Sequence, residues 1–416
     1  MVRGAAPESW SREGFELLRQ KQLQTSAGPT RRPLGGYAWL LGRSVVAVAA
    51  LSFCWLPCAP AASARADLAD LTPSGTEIAM TYDLYDIACE PTTDTCVAVG
   101  DGPVVRDGLA VGVVVSITNG VAGKPQPVPA ADVLRSVACP SASECVAVGV
   151  HPGPAVANSH ASGLYVDIHV GHPSRPVIVP SATTLDAVSC TAPGDCIATG
   201  DNLVNQGIVL RVGGTMEHAP KVVHGLPQLD AIACETASQC VAEGTVGQPG
   251  YYEGGVVDIV DGVPGPLQVL PGATLYGIAC PSASTCEGIG ENVGTIGQYA
   301  QGAVVPIVDG APRRPALVER TGAGKWPEFW YRAIGCRRAS LCEAVGYNND
   351  VESTVFRGVF VSIRNGAPGA YPVMSKGTQL AGVACPGQTT CVAVGTRWGR
   401  TIASSKGVFL VLHFGG

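Results

Sequence analysis

Leu134-Arg-Ser-Val-Ala-Cys-Pro-Ser-Ala-Ser-Glu-Cys-Val-Ala-Val-Gly149 decides the fold, because six further segments repeat its plan. They run Leu84…Cys89…Cys96…Gly100, Leu185…Cys190…Cys196…Gly200, Leu229…Cys234…Cys240…Gly244, Leu275…Cys280…Cys286…Gly290, Tyr331…Cys336…Cys342…Gly346 and Leu380…Cys385…Cys391…Gly395. First cysteines recur every 44–56 residues, and five residues separate the members of a pair (six in the first copy). A fixed period of this size marks an array of one supersecondary unit.

Working outward from 134–149, the unit contains four short runs. Leu134–Cys139 and Cys145–Gly149 are apolar and rich in β-formers, with Pro140-Ser-Ala-Ser-Glu144 as the turn between them. Gly163-Leu-Tyr-Val-Asp-Ile-His-Val170 and Arg175-Pro-Val-Ile-Val-Pro180 follow. Four strands every 50 residues or so predict one propeller blade per repeat. Asn119-Gly120, Asp261-Gly262, Asp309-Gly310 and Asn365-Gly366 predict tight hairpins between the third and fourth strands, since these pairs readily take positive φ. The predicted fold is all-β: a seven-bladed propeller with four antiparallel strands per blade.

The phase of the repeat predicts how the ring closes. The last copy stops after its third strand, Gly407–His413, and Thr76-Glu-Ile-Ala-Met-Thr81 precedes the first copy. Ile78 stands six residues before Leu84, as Val179 stands six before Leu185. The segment 75–81 is therefore expected to be the missing outer strand of the last blade, which leaves no open edge.

Composition and compartment agree with this reading. Only 14% of the 416 residues are charged, while 53 are glycine and 32 proline, a turn-rich β composition. Arg31, Arg32 and Arg43 precede a 13-residue apolar run, Ser44–Leu56, followed by small-residue sites at Ala62-Ser-Ala64 and Ala64-Arg-Ala66. Residues 1–66 thus read as a lead plus signal peptide, with an uncleaved membrane anchor as the alternative, and 67–416 as the propeller domain. The export reading places the protein outside the cell, secreted or anchored facing outward. Residues 1–66 hold 8 of the 27 basic and 3 of the 33 acidic side chains, so the exported part carries 19 and 30, a net charge of about −11. That balance argues against a nucleic-acid partner. The only membrane attachment expected is an uncleaved N-terminal segment, and a monomer is expected.

Fourteen of the 16 cysteines belong to the repeats. In an exported chain this predicts seven disulfides within blades: 89–96, 139–145, 190–196, 234–240, 280–286, 336–342 and 385–391. The competing reading is metal binding. It needs thiolates of two repeats to converge, and seven pairs is an odd number for such sharing.

The pattern of 134–149 resembles the cysteine-paired propeller repeats of secreted bacterial proteins to which no chemistry is assigned. More distantly it is similar to sialidase-like and photosystem-assembly-factor-like propellers, whose blades also carry an Ala-Val-Gly second strand. The resemblance covers about 84–416 and implies the fold. The Asp-box of sialidase-type blades is absent, and fold membership does not assign chemistry.

Two sets of candidate functional residues remain. The loops between second and third strands vary in length and content, unlike the cysteine turns, and variable loops on a rigid scaffold are where recognition usually sits. Tyr251, Tyr252, Tyr299, Tyr347 and Trp398 fall in or beside those loops and suit stacking on a sugar or peptide. The second set follows the first residue of each inner-strand motif: Tyr85, Arg135, Asp186, Asp230, Tyr276, Arg332 and Ala381. These side chains are expected to ring the channel mouth. Asp186 and Asp230, on adjacent blades, offer a carboxylate pair for glycoside chemistry, with Arg135, Tyr276 and Arg332 beside them. A salt-bridged, water-filled channel is the alternative. The sequence carries no His-Glu-x-x-His, G-x-S-x-G or phosphate-binding fingerprint and implies no cofactor or metal. The function expected is a binding or scaffold propeller that recognises a glycan or an extracellular protein or peptide through its variable-loop face. Tyr85, Tyr251, Tyr252, Tyr347 and Trp398 are the binding candidates, and a carbohydrate-active enzyme is the alternative.

Overall fold

A computed structural model describes residues 75–90, 93–103, 110–153, 161–213, 219–248, 251–282, 284–292, 301–318, 328–349, 356–369, 373–399 and 404–414. The leader reading of 1–66 lies outside them. Seven antiparallel sheets follow one another along the chain. Blade 1 illustrates the plan: inner strand Asp83–Cys89, second strand Thr95–Gly102, third strand Val111–Thr118, then two short outer pieces, Val121–Ala122 and Gln126–Val128. Blades 2 to 6 cover 133–179, 184–223, 231–270, 273–317 and 328–376. Blade 7 comprises Gln379–Ala384, Thr390–Arg397 and Lys406–His413.

The outer strand departs from the simple expectation of one run. In five blades it is two short pieces, both paired to the third strand. In four of these the first piece ends on a proline (Pro173, Pro264, Pro312, Pro368), which has no N–H to donate to the ladder.

Closure follows the phase of the repeat. Thr76–Ile78 pairs antiparallel with Lys406–His413, with Thr76 opposite Phe409 and Ile78 opposite Gly407. The Thr81 hydroxyl donates to Ile78 O at 2.8 Å and accepts from Gly407 N at 3.1 Å. Arg397 adds an ion pair to Glu77 at 2.7 Å and a hydrogen bond to Gly75 O at 2.9 Å.

The core is divided among the blade interfaces. The second strand is buried on both faces, which is why Cys-Val-Ala-Val-Gly runs apolar without alternating. In blade 1, Val97 and Val99 face blade 2 and meet Leu134, Ala147 and Ile168. At the seam Val392, Val394, Phe409 and Ile78 meet Leu84, Ala98 and Ile117. The repeat-leading residues Leu84, Leu134, Leu185, Leu229, Leu275, Tyr331 and Leu380 are all fully buried. Truncating one such leucine to alanine typically costs about 2–5 kcal/mol.

The cysteines pair as the sequence predicts, in seven disulfides with Cα–Cα separations of 3.8–4.1 Å. These lie just below the usual range, because the two residues stand directly opposite on neighbouring strands, as Cys89 and Cys96 do. The hairpins between third and fourth strands have φ of 51° and 71° at Asn119 and Gly120, and of 52° and 72° at Asp261 and Gly262. Both central residues are left-handed, as a type I′ turn requires. Cysteine turns and type I′ turns share one end of the channel. The start of each inner strand and the end of each second strand share the other.

Candidate functional site: the channel mouth

The mouth is built by a repeated irregularity. In blade 1, Leu84 pairs with Gly100 and Asp86 with Val99, so Tyr85 is skipped. The same shift skips Arg135, Asp186, Tyr276, Arg332 and Ala381. In blade 4, Ala231 pairs with Glu243, and Asp230 N donates to Glu243 O at 2.9 Å. Six of the seven predicted ring residues are thus the extra residue of a β-bulge, a device that re-aims a side chain out of the regular pleat, while Asp230 stands immediately before its inner strand, Ala231–Thr236. The bulge also explains the glycine closing every motif. A Cβ at Gly100 would lie 2.0 Å from Asp83 O, and at Gly346 1.9 Å from Trp330 O.

Burial, charge and hydrogen bonding differ around the ring. Tyr85 is 39% exposed. Arg135 reaches Asp186 at 3.1 Å, with the arginine side chain 44% exposed and the carboxylate 6%. Asp186 also accepts from Gln228 Nε2 at 3.1 Å. The Thr184 hydroxyl lies 2.7 Å from Asp186 Oδ2 and 2.6 Å from Asp201 Oδ1. One hydroxyl carries one hydrogen, so the second short contact needs a proton on a carboxyl. Burial accordingly raises the pKa of both groups, against the Arg135 charge and Thr184 at Asp186, and against Thr184 at Asp201.

Among the described residues no guanidinium is ion-paired with Asp230. Burial, with the Asp186 charge next, lifts its pKa to about 7, although Arg135 and Arg332 pull the other way. Behind it lies Glu243, fully buried, with neither carboxyl oxygen hydrogen-bonded. Burial and the Asp230 charge raise its pKa well above the ordinary carboxylate range. On the blade 1 side, burial and Asp83 lift Asp101 to about 7. Asp83 accepts a short hydrogen bond from the Thr396 hydroxyl of blade 7.

Blades 5 to 7 hold an aromatic sector. The Arg332 guanidinium lies over Tyr276, Tyr347 and Trp330, at 5.0, 5.7 and 5.9 Å from the ring centroids. It donates to the Tyr347 hydroxyl at 3.2 Å, and Tyr276 donates to Glu291 at 2.6 Å. Trp330 stacks on Tyr347 at 6.1 Å, Tyr347 meets Phe356 edge-on at 5.9 Å, and Phe356 meets Trp398 at 6.3 Å. Trp398 is 43% exposed.

Of the ring residues, the structure brings Arg135 to Asp186 and Arg332 over Tyr276, and Tyr347 and Trp398 join Arg332 through the aromatic chain. Tyr251 and Tyr252 require a correction: they lie not in a loop but in the strand Tyr251–Val260, opposite Gln248 and Gly247. Tyr299 lies outside the described residues. Behind the ring stand Asp101, Asp201, Glu291 and Phe356, which belong to the variable-loop segments 101–108, 201–206, 291–301 and 347–357 of the sequence reading, and Glu243 and Trp330, which sequence reasoning missed. Glu243 had a legible signal. At its position the other copies carry Val99, Val148, Thr199, Ile289, Val345 and Val394. Among the described residues no three His, Cys, Asp or Glu side chains are grouped to hold a metal ion.

No protein-family model and no curated protein matches the chain. Solved structures do. Hydrazine synthase of Kuenenia stuttgartiensis matches at 12% identity and TM-score 0.54, over 78% of this chain and 95% of that one. The β-propeller domain of the Trilobed protease from Pyrococcus furiosus matches at 7% and 0.49, over 81% and 94%. A neuraminidase-like protein of a flat-faced bat isolate from Peru matches at 12% and 0.42, over 81% and 98%. At such identities the likeness is one of fold.

Proposed function

We propose that this propeller is an extracellular binding or scaffold module that recognises a glycan or protein partner through its channel-mouth face. The contrast between the two ends carries the reading. One end is closed by near-uniform turns. The other presents six varied side chains on bulges, with an aromatic sector leading to the exposed Trp398. Recognition is best served by varied groups held on a rigid frame. Seven disulfides suit an oxidising compartment outside the cytosol. A glycan and peptide array probed with the disulfide-bonded protein tests this. Tyr85→Ala and Trp398→Ala should each weaken capture about tenfold or more without unfolding the ring. Binding that survives both substitutions would remove the mouth face from consideration.

One observation favours a second reading, a carbohydrate-active enzyme. Asp186 is paired with Arg135, whereas Asp230 stands without that partner and is lifted to about 7. Neighbouring carboxyls in unlike environments are what acid/base glycoside chemistry uses. Asp186→Asn and Asp230→Asn, assayed on every glycan that binds, separate the two. Turnover lost with binding kept supports the enzyme, and absence of turnover in the wild type supports the module.

A further inference from the structure

Blade 4 breaks the rule of its own repeat at the place where the mouth is most acidic. A buried carboxyl without a hydrogen-bond partner is unfavourable, and the apolar residue used at that position in most blades would avoid it. Glu243 nevertheless occupies it, fully buried, with both oxygens unbonded. The Asp230 charge bears on it, its own charge bears on the Tyr276 hydroxyl, and Asp230 N donates to Glu243 O at 2.9 Å, which ties it to the ring residues of blades 4 and 5. Departures from a local rule that cost stability are expected where function requires them.

The sector around it is short of positive charge. Among the described residues Asp186, Asp201, Asp230, Glu243 and Glu291 belong to it, against Arg135 and Arg332. Arg135 is committed to Asp186 at 3.1 Å, and Arg332 to its three aromatic rings and the Tyr347 hydroxyl. Asp230 is half-buried whereas Glu243 is fully buried, so of this pair the ring carboxyl is the one that solvent reaches.

We propose that the mouth sector of blades 3 to 5 receives an organic cation, the side-chain ammonium or guanidinium of a basic peptide, on the Asp230 carboxylate, with Glu243 as the buried counter-charge behind it. A cation there supplies the partner that Glu243 lacks and offsets the repulsion between Asp230 and Asp186. It also favours the ionised carboxyls, so binding releases protons. Asp230 faces Asp186, Asp201, Arg135 and Arg332, and Glu243 faces Asp230 and Tyr276. Both carboxyls bind protons more readily than usual, so affinity falls as pH drops through about 7. The proposal rests on the reading of the mouth face as a recognition surface and specifies what that surface recognises.

The test is calorimetry of the disulfide-bonded protein with a tri-lysine peptide and with its Nε-acetylated form. The expected result is binding of the first only, with proton uptake by the buffer and an affinity that falls at least tenfold in Asp230→Asn. Glu243→Val, which installs the residue of other blades, should raise the melting temperature and still weaken the peptide by about tenfold. A Glu243→Val protein that is more stable and binds tri-lysine unchanged would overturn the proposal, as would equal binding of the acetylated peptide. Array capture of neutral ligands at the mouth without any tri-lysine binding would overturn it and leave the recognition surface standing. Loss of all ligand binding from the mouth would overturn both.

Discussion

The two ends of the channel are made from the same seven repeats and put them to opposite uses. At the cysteine end the geometry hardly varies: paired sulfurs lock each first hairpin, and type I′ turns lock the second in blades 1, 2, 4, 5 and 6. At the mouth the backbone is nearly as uniform, since six blades have the same bulge and all seven motifs close on a glycine. Only the side chain at the ring position changes, from Tyr85 through Arg135, Asp186, Asp230 and Tyr276 to Arg332 and Ala381. Uniform backbone with varied side chains is what allows a rigid ring to differ in charge from sector to sector.

The most damaging way to break this comparison is to open the ring that both ends share. A chain beginning at residue 83 should melt roughly 10 °C or more below one beginning at residue 75, because it loses the Thr76–Ile78 strand, the buried Ile78 and the Arg397 contacts. Equal melting temperatures would show the seam to be incidental.

Glycines contrast the ends next. Gly346→Ala at the mouth places a Cβ 1.9 Å from Trp330 O, whereas Gly387→Ala in a cysteine turn meets nothing within 4 Å. We expect roughly 3–5 kcal/mol lost from the first and under about 0.5 kcal/mol from the second in denaturant titrations. Similar costs would refute the bulge as the reason for the glycine. Replacing Cys139 and Cys145 together by alanine should cost about 2 kcal/mol, since the bridge closes a loop of only six residues. The mouth should bind as before, and altered binding would mean that the two ends are not independent.

The pH profile sharpens the electrostatic half of the comparison. Asp230 and Asp101 have folded pKa values near 7, above the ordinary 3.8. Raised carboxyls favour the folded state while protonated, so their contribution is complete at low pH and is lost as pH rises toward 7. Stability should therefore decline between about pH 4 and pH 7. Asp230→Asn should flatten part of that slope, and an unchanged slope would show that the mouth carboxyls do not govern it.

Much of the frame was legible because it is periodic and local. The leucine knobs, the Ala-Val-Gly strand, the cysteine spacing and the Asn-Gly turns each recur within a blade, and even closure could be read from the phase of Ile78 against Val179. The charge state of the mouth was not, because it depends on neighbours in other blades. Nothing near Asp230 in sequence reveals that Arg135 pairs with Asp186 instead. Tyr251 and Tyr252 were misread for a related reason. Gly247, Gly254 and Gly255 suggest a loop, yet the hairpin continues through them. A Cβ on Gly255 would come within 2.8 Å of Leu226, Leu267 and Val246, so that glycine makes room for packing.

The seam also sets a clock. Gly407 and Thr81 are 326 residues apart in sequence, and the strand that precedes the first blade can find its ladder only after the last blade has been synthesised. Blades can form in order as the chain emerges, each burying its face on the one before. The Thr76–Ile78 segment must meanwhile wait unpaired, and closing so long a loop adds an entropic barrier to the final step. Maturation thus ends on a single three-residue docking event. The first blade's Leu84, Ala98 and Ile117 stay partly uncovered until it happens, which makes the interval between synthesis and closure the period of greatest exposure to aggregation.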